Sequence, residues 1–418
     1  MEEKIKVFVI ADHPLSPSGV GLQTKYMIES CLATGKFKFI CFGGAVKHSD
    51  YTPKKVDPHG EDWIIYPTDG YGDQEKVRSL LQIEKPDILW FMTDPRFFGW
   101  LWDIENEIRA NVPMVYYHVW DNFPYPKYNK QFYDSNDFIA TISKVTDEIV
   151  KNVSPDVERR YVPHSVESNV FKPLDKEEVK EFRHENMTKD DNKMVVFWNN
   201  RNARRKQSGS LIFWFKDFLD EVGHDNAMLI MHTDVRDPHG QDLEVLIKRV
   251  GLDQGQVRFS TQKISSELLA LMYNAVDVTV NISDAEGFGL ATLESLSCGT
   301  PIVVNMTGGL QEQVTDGEEF FGVGIKPASQ AVIGSLEVPY IFEDRIAGED
   351  LVSALKQIYE MSPEERGELG AKGREHVLKN YNFEKLQKVW PELLQEIHDK
   401  HGSWDTRKNY NNWRLIEV

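Results

Sequence analysis

Cysteine is scarce in this chain: three among 418 residues, at Cys31, Cys41 and Cys298. Three scattered thiols give neither a disulfide framework nor a zinc-ligand pattern, and they fit a reduced compartment. Positive charge is in deficit. Lys and Arg number 48 against 66 Asp and Glu, a net charge of −18. That balance argues against broad binding to nucleic acid or to an anionic membrane. Long apolar runs are missing. No stretch of about 18 apolar residues occurs, and the N-terminus enters a strand with no apolar signal core, so neither a membrane span nor export is expected. The expected location is cytoplasmic, with peripheral membrane association left open. Asp-x-Asp and His-Glu-x-x-His do not occur, so no metal-clamped diphosphate, no metal ion and no other cofactor is expected. Gly-x-Ser-x-Gly is missing too, which removes the nucleophile elbow of a hydrolase. Fixed repeats of 20–50 residues and low-complexity tracts are also lacking.

What the chain does have is 41% hydrophobic and 27% charged residues, enough for large soluble cores. Its length predicts two or three domains. Short apolar runs at 5–11, 37–42, 63–66, 88–92, 114–118, 138–142 and 160–162 read as strands, with helical patterns such as 74–83 and 146–151 between them. Around 163–175 the periodicity fades and Pro163 and Pro173 appear, which reads as a linker. Residues 176–191 are charged and expected to be exposed. The alternation restarts at 194–198 and continues through 227–232, 257–259, 276–282 and 301–304. The fold class is therefore α/β, with two Rossmann-like domains, 1–165 and 176–383, facing a central cleft. Residues 317–346 are rich in Gly and Pro and receive no element. Helical pattern returns at 350–361, 364–379 and 383–401, and the 404–418 tail carries no clear signal.

The most informative stretch is 284–301, Asp284-Ala285-Glu286-Gly287-Phe288-Gly289-Leu290 through Glu294 to Cys298-Gly299-Thr300-Pro301. It reads as strand, glycine-containing turn, helix and strand. Such a turn and helix start offer free backbone N–H groups and a positive dipole end to an anion or a polarised hydroxyl. Glu286 and Glu294 lie eight residues apart, about 12 Å of helical rise, so they can meet different parts of one elongated ligand. Arg201 and Lys206 follow the 194–198 strand, five residues apart, beside Arg204 and Arg205. Arg supplies a planar fork for phosphate oxygens and Lys a point charge. His118 ends the 114–118 strand, where a doubly wound sheet feeds its cleft, though a core histidine has the same sequence appearance. Gly19-Val20-Gly21 sits at the end of a loop after the first strand. It falls short of a dinucleotide fingerprint because its sixth position is Thr24.

Glu-x7-Glu with Gly-Phe-Gly after the first Glu, followed by Cys-Gly-Thr-Pro, resembles the retaining family-4 glycosyltransferases of the GT-B fold. The resemblance is sharpest over 194–317. It implies hexose transfer from a nucleotide diphosphate sugar to a hydroxyl on a glycan, glycolipid or glycoprotein. GDP-mannose is the leading donor and a UDP-hexose the next. Rivals are a GT-B epimerase or hydrolase and an inert sugar-nucleotide binder. The resemblance assigns Arg201 and Lys206 to the diphosphate and Glu286 with Gly287, Phe288, Gly289 and Leu290 to the sugar. It gives Glu294 the ribose, Gly19 and Gly21 the opposite wall of the diphosphate site, and His118 the donor sugar. The base is expected near Thr233, Lys263 and Ile264. It also implies a C-terminal helix, about 384–418, crossing back to the N-terminal domain on the acceptor side. Val162-Pro163-His164 departs from the Pro-Asn-Gly common at that place in the family.

Overall fold

The computed structural model describes residues 3–411; the first two residues and 412–418 of the tail lie outside the described residues. The chain divides into two compact units. One comprises Met1–Ser165, Leu336–Pro339 and Phe383–Val418, the other Val166–Ser335 and Tyr340–Asn382.

The first unit runs β1 (Ile5–Asp12), α1 (Gly19–Leu32), β2 (Phe37–Gly44), β3 (Lys54–Val56), β4 (Gly60–Pro67), α2 (Gln74–Glu84) and β5 (Ile88–Met92). The short helices α3 (Gly99–Trp102) and α4 (Glu105–Arg109) follow. Then come β6 (Met114–His118), α5 (Lys130–Asp134), β7 (Phe138–Thr141), α6 (Lys144–Val153) and β8 (Arg159–Tyr161). The sheet order is β3-β4-β2-β1-β5-β6-β7-β8, parallel except at the β3–β4 edge. Every residue of β5 and β6 is buried, as expected where helices cover both faces of a parallel sheet. Strand order reverses between β1 and β5, the switch point of this sheet.

Gly19 and Gly21 lie in the first turn of α1, not in the loop the sequence suggested. Ser18 explains the shift: its Oγ accepts from Gly21 N at 3.0 Å and caps the helix three residues early. A Cβ on Gly21 would lie 2.5 Å from Ser16 Oγ and 2.7 Å from the His13 carbonyl, so close packing already accounts for this glycine.

The second unit runs α7 (Lys176–Asn186), β9 (Met194–Asn199), α8 (Ser208–Val222), β10 (Ala227–His232), α9 (Leu243–Val250), β11 (Val257–Ser260) and α10 (Ser266–Ala275). Then come β12 (Val278–Asn281), α11 (Leu290–Ser297), β13 (Ile302–Asn305), α12 (Leu310–Val314) and β14 (Gly322–Ile325). A two-stranded antiparallel hairpin, β15 (Ser329–Ile333) and β16 (Ile341–Arg345), precedes α13 (Gly348–Glu360) and α14 (Pro363–Asn380). The six-stranded sheet is parallel in the order β11-β10-β9-β12-β13-β14. This is the doubly wound order, with its switch point between β9 and β12. The charged 176–191 segment contains α7, which buries no residue. The unassigned 317–346 segment supplies the last sheet strand and the hairpin. Helix α14 opens with Pro363 and a reciprocal Ser362–Glu365 capping box.

Helix α15 (Phe383–His401) then returns to the first unit and packs on α1, where Phe383 and Tyr26 rings lie 4.5 Å apart. Trp390, fully buried, meets Trp90 at 5.8 Å and Tyr117 at 4.9 Å, both edge-on. Two parallel Rossmann-like sheets and a C-terminal helix packed on α1 are the GT-B elements implied by the resemblance.

Candidate active site

The second unit's switch point collects most of the residues singled out above. Strand β9 and strand β12 are parallel neighbours, with Thr279 paired to Phe197. The loops leaving their carboxyl ends therefore rise side by side. The first carries Arg201 and a one-turn helix over Arg204–Lys206. It closes at Gln207, which is held left-handed at φ 57°. The second carries Ser283 to Gly289 and delivers the chain into α11.

Lys206 and Glu286 meet where these loops touch. Lys206 Nζ donates to Glu286 Oε2, with the residues only 7% and 9% exposed. Asn281 Nδ2 donates to the same oxygen at 3.3 Å. Ser283 Oγ lies 3.4 Å from it and 2.5 Å from Asn281 Oδ1, so its single proton favours the nearer Asn281. Arg205 donates from Nη1 to the Ala285 carbonyl. Burial works against ionising Glu286, but Lys206 and Arg205 outweigh it and hold the carboxyl down at about 2. Glu286 is thus a carboxylate whose Oε2 takes the bonds from the protein.

The turn then exposes a helix start. Gly289 is the N-cap at φ 94°, and no side chain caps the helix. A Cβ there would sit 2.6 Å from Leu310 Cδ2, so both backbone and space demand glycine. Gln313 Nε2 donates to the Phe288 and Gly289 carbonyls at 2.7 and 3.0 Å and fixes the turn from behind. The first-turn N–H groups of α11, beginning at Leu290, keep the positive end of the helix open to an anion. Phe288 is buried with its ring 5.6 Å from Tyr381, which anchors the turn between Gly287 and Gly289.

Glu294 lies about one turn into α11, four residues after Leu290. Tyr273 Oη donates to its Oε2 at 2.9 Å, and Asn199 Nδ2 donates to that tyrosine oxygen at 2.9 Å. Burial raises the Glu294 carboxyl to about 7, only partly offset by the Tyr273 bond. Glu286 and Glu294 therefore differ in charge state near neutrality although both stand on one turn-helix unit.

Arg201 is not part of this cluster. Its guanidinium bonds Asp237 at 2.6 and 3.1 Å, and its side chain is 60% exposed. Thr233 follows β10 and is buried, with an Oγ1 that has no hydrogen-bond partner. Lys263 is exposed and Ile264 half-buried in the loop after β11. In the first unit, His118 is 0% exposed. Its Nε2 lies 2.7 Å from Tyr133 Oη, its Nδ1 is buried without a partner, and burial pushes its pKa down to about 3. This is the enclosure of a core histidine. Sequence reasoning left Asn281, Ser283, Tyr273, Asp284 and Glu343 unassigned to the site. Asn281 and Ser283 flank the strand end and were findable there. Tyr273 and Glu343 come from distant segments with no local signal. Among the described residues, no cluster of three or more His, Cys, Asp or Glu is placed to hold a metal ion, and no helix is long and apolar enough to cross a membrane.

The model of the family "Glycosyl transferases group 1" matches residues 179–376, which contain both loops. A D-inositol 3-phosphate glycosyltransferase of Thermomonospora curvata is 48% identical over 67 residues, 16% of each chain. A trehalose synthase of Pyrococcus horikoshii is 30% identical over 123 residues, 29% of this chain and 24% of that one. These matches therefore span under a third of the relatives' length. Among solved structures, sucrose-phosphate synthase from Thermosynechococcus elongatus superposes with a TM-score of 0.75 at 19% identity, covering 95% of this chain and 100% of that one. Anabaena HepE, in complex with UDP-glucose, does so at 0.68 and 14%, covering 94% and 100%. At such identities the likeness shows the fold alone. The family match lies almost wholly within the second unit and covers just under half of the chain, so it is that unit which is similar to the glycosyl transferases group 1 family, on a chain with GT-B architecture.

Proposed function

We propose that the protein is a retaining glycosyltransferase that moves a hexose from a nucleotide diphosphate sugar to a hydroxyl acceptor. The observation that carries this reading is the buried Lys206–Glu286 pair beside the open start of α11. A buried ion pair costs desolvation free energy that a well-packed apolar pair would not, so its presence at a strand-end switch point favours a functional role.

In this reading the leaving diphosphate lies against the α11 start, Lys206 and Arg201. Arg201 is exposed enough to leave Asp237 for a phosphate, and the cations stabilise charge as it grows on the departing oxygen. Glu286, ionised, accepts hydrogen bonds from sugar hydroxyls. Glu294 accepts from the ribose diol, and Thr233 with the Lys263–Ile264 backbone faces the base. The bond between the anomeric carbon and the diphosphate oxygen breaks, and the acceptor oxygen bonds to that carbon on the same face. The acceptor proton passes to the leaving phosphate.

UDP-hexose stands first as donor because solved structures of this fold include UDP-glucose and UDP complexes; GDP-mannose stands second. The decisive experiment offers both donors with polyol, glycan and glycolipid acceptors. Release of nucleotide diphosphate with a glycoside of retained anomeric configuration is expected. Free sugar, an epimer, or no release from any donor would overturn the proposal in favour of hydrolysis, epimerisation or inert binding.

A further inference from the structure

The β15–β16 hairpin lies outside the doubly wound sheet, yet its second strand is built into the base of the site. Glu343, on β16, is 1% exposed. It takes a forked pair of bonds from Arg204, at 2.8 and 2.6 Å, and Arg345 lies 3.6 Å away. Arg204 opens the single helical turn that ends in Lys206. The neighbouring residue, Asp344, donates its N–H to the Asp284 carbonyl at 2.9 Å, and its side chain accepts from Thr307 Oγ1 at 2.8 Å. Asn305, fully buried, ties both pieces together by donating to the Ser283 carbonyl at 2.9 Å and the Asp344 carbonyl at 2.8 Å. Two further bonds join the loops directly. Asp284 N donates to the Arg205 carbonyl at 2.8 Å, and Gln207 Nε2 donates to Asp284 Oδ2 at 2.6 Å.

Three segments therefore lock at one junction: the Lys206 turn, the Glu286 turn and β16. Much of the rest of the hairpin is open, with Val332 69% and Leu336 101% exposed, although Val338 in its connecting loop is buried. Its own apolar face contributes little to the core. A carboxylate enclosed like Glu343 is costly unless paired, and its principal partner is the arginine two residues before Lys206.

We infer that the hairpin is a support for the reacting centre, and that Glu343 is the positioning residue that sets Lys206 against Glu286 through Arg204. Glu343 acts through another group and touches no substrate. Forked guanidinium–carboxylate geometry fixes direction as well as distance, so it can hold the turn to within a fraction of an ångström.

The test compares Glu343→Gln and Arg204→Lys with the unaltered protein. Each retains a polar side chain of similar size but loses the forked charge pair. The inference rests on the transfer reading for its kinetic arm only. There, kcat with UDP-glucose or GDP-mannose is expected to fall roughly 10- to 100-fold, the penalty of a small misplacement. Kd for free UDP or GDP is expected to weaken by clearly less than kcat falls, since Lys206 is one of several diphosphate contacts in the transfer reading and the α11 start and Arg201 stay in place. Glu343→Asp, which keeps the charge, is expected to recover part of the loss. The second arm needs no activity: amide hydrogen exchange over residues 204–207 and 283–290 is expected to quicken in Glu343→Gln, with the rest of the second unit unchanged. Unchanged kcat and unchanged exchange in folded variants would overturn the inference. So would a loss of nucleotide affinity equal to the loss of kcat, which would make Glu343 a binding residue. If the unaltered protein transfers from no donor, the transfer reading fails, and the exchange arm still decides whether the hairpin holds the two turns. Should Glu343→Gln not fold, Arg204→Lys carries both arms. If neither folds, Glu343 is a general stability residue and the inference falls.

Discussion

Lys206 shows how burial changes what a substitution should do. On sequence alone, an Arg-x4-Lys loop suggests two exposed cations whose removal spares folding. The structure separates them. Lys206 is enclosed against Glu286, so Lys206→Ala leaves an uncompensated buried charge, worth about 3–5 kcal/mol. Urea unfolding is expected to show that loss, and turnover is expected to fall roughly 10²–10³-fold. Arg201→Ala is expected to change stability by only about 0.5 kcal/mol, as befits an exposed pair, while turnover falls similarly. Equal stability in both variants would mean the buried pair contributes nothing. The pH behaviour has opposite signs at the two glutamates. Glu286 is lowered to about 2, so the stability it contributes is present above the unfolded value near 4.3 and is lost as pH falls through 2. Glu294 is raised to about 7, so the folded state holds its proton longer than the unfolded chain, and its contribution declines as pH rises from about 4.3 to 7. A ribose diol donating to Glu294 needs the carboxylate. Nucleotide affinity is therefore expected to rise from pH 6 to 8 and then level, with that slope gone in Glu294→Gln. Calorimetric titration of UDP and GDP across this range checks it. His118 is the third residue whose surroundings decide its test. Enclosed and bonded to Tyr133, it is expected on removal to cost about 1–3 kcal/mol and to leave nucleotide binding intact. A variant of undiminished melting temperature but lost turnover would return it to the site.

At the scale of elements, the chain's legibility follows from how local the cause is. Runs such as Ile88–Met92 and Met114–His118 are strands because every position is buried, and an uninterrupted apolar run records that directly. The turn from Glu286 to Leu290 was equally legible, since glycine marks both its strain and its close contacts. Three features were not. Helix α1 begins at Gly19 because of a side-chain cap, which outweighed the two glycines that read as loop. The hairpin escaped notice because its strands bury little: β15 has no buried residue and β16 one, Glu343, so alternation leaves almost no trace. The Tyr273–Glu294 bond joins α10 to α11 across 21 positions, and nothing in either segment alone announces it. The Gly289 position gives the element-scale prediction. Gly289→Ala forces a side chain into the left-handed region, about 1–2 kcal/mol, and drives it into Leu310, about 1–3 kcal/mol more. The same change tilts the first N–H groups of α11. Nucleotide affinity is thus expected to fall together with stability, whereas Gly317→Ala, at an open turn with φ 102°, is expected to cost stability alone. Intact affinity in Gly289→Ala would show that the α11 start is not where the anion sits.

For the whole molecule, two separately cored units predict two separable unfolding events. The first unit depends on a helix that arrives from the far end of the chain. Helix α15 buries Trp390, Leu393, Leu394 and Ile397, and fully burying side chains of this kind contributes about 1.5–3 kcal/mol each. Four of them approach the total stability of an ordinary domain, about 5–15 kcal/mol. Trp390→Ala removes the largest, with its edge-on contacts to Trp90 and Tyr117, and is expected to cost about 3–5 kcal/mol. That loss falls on the first unit alone, because the second unit's core, from Met194 and Phe215 to Leu355, contains no α15 residue. Differential scanning calorimetry of Trp390→Ala is therefore expected to split into two transitions, the lower one belonging to the first unit. Nucleotide then labels the other. If the diphosphate sits on the α11 start with Lys206, UDP or GDP at a hundredfold over its dissociation constant stabilises the second unit by about 2.7 kcal/mol. The upper transition should move up and the lower one should stay. A single shifted transition would mean the units unfold as one body, and a shift confined to the lower transition would put the nucleotide on the first unit, against the assignment of Lys206, Glu286 and Glu294.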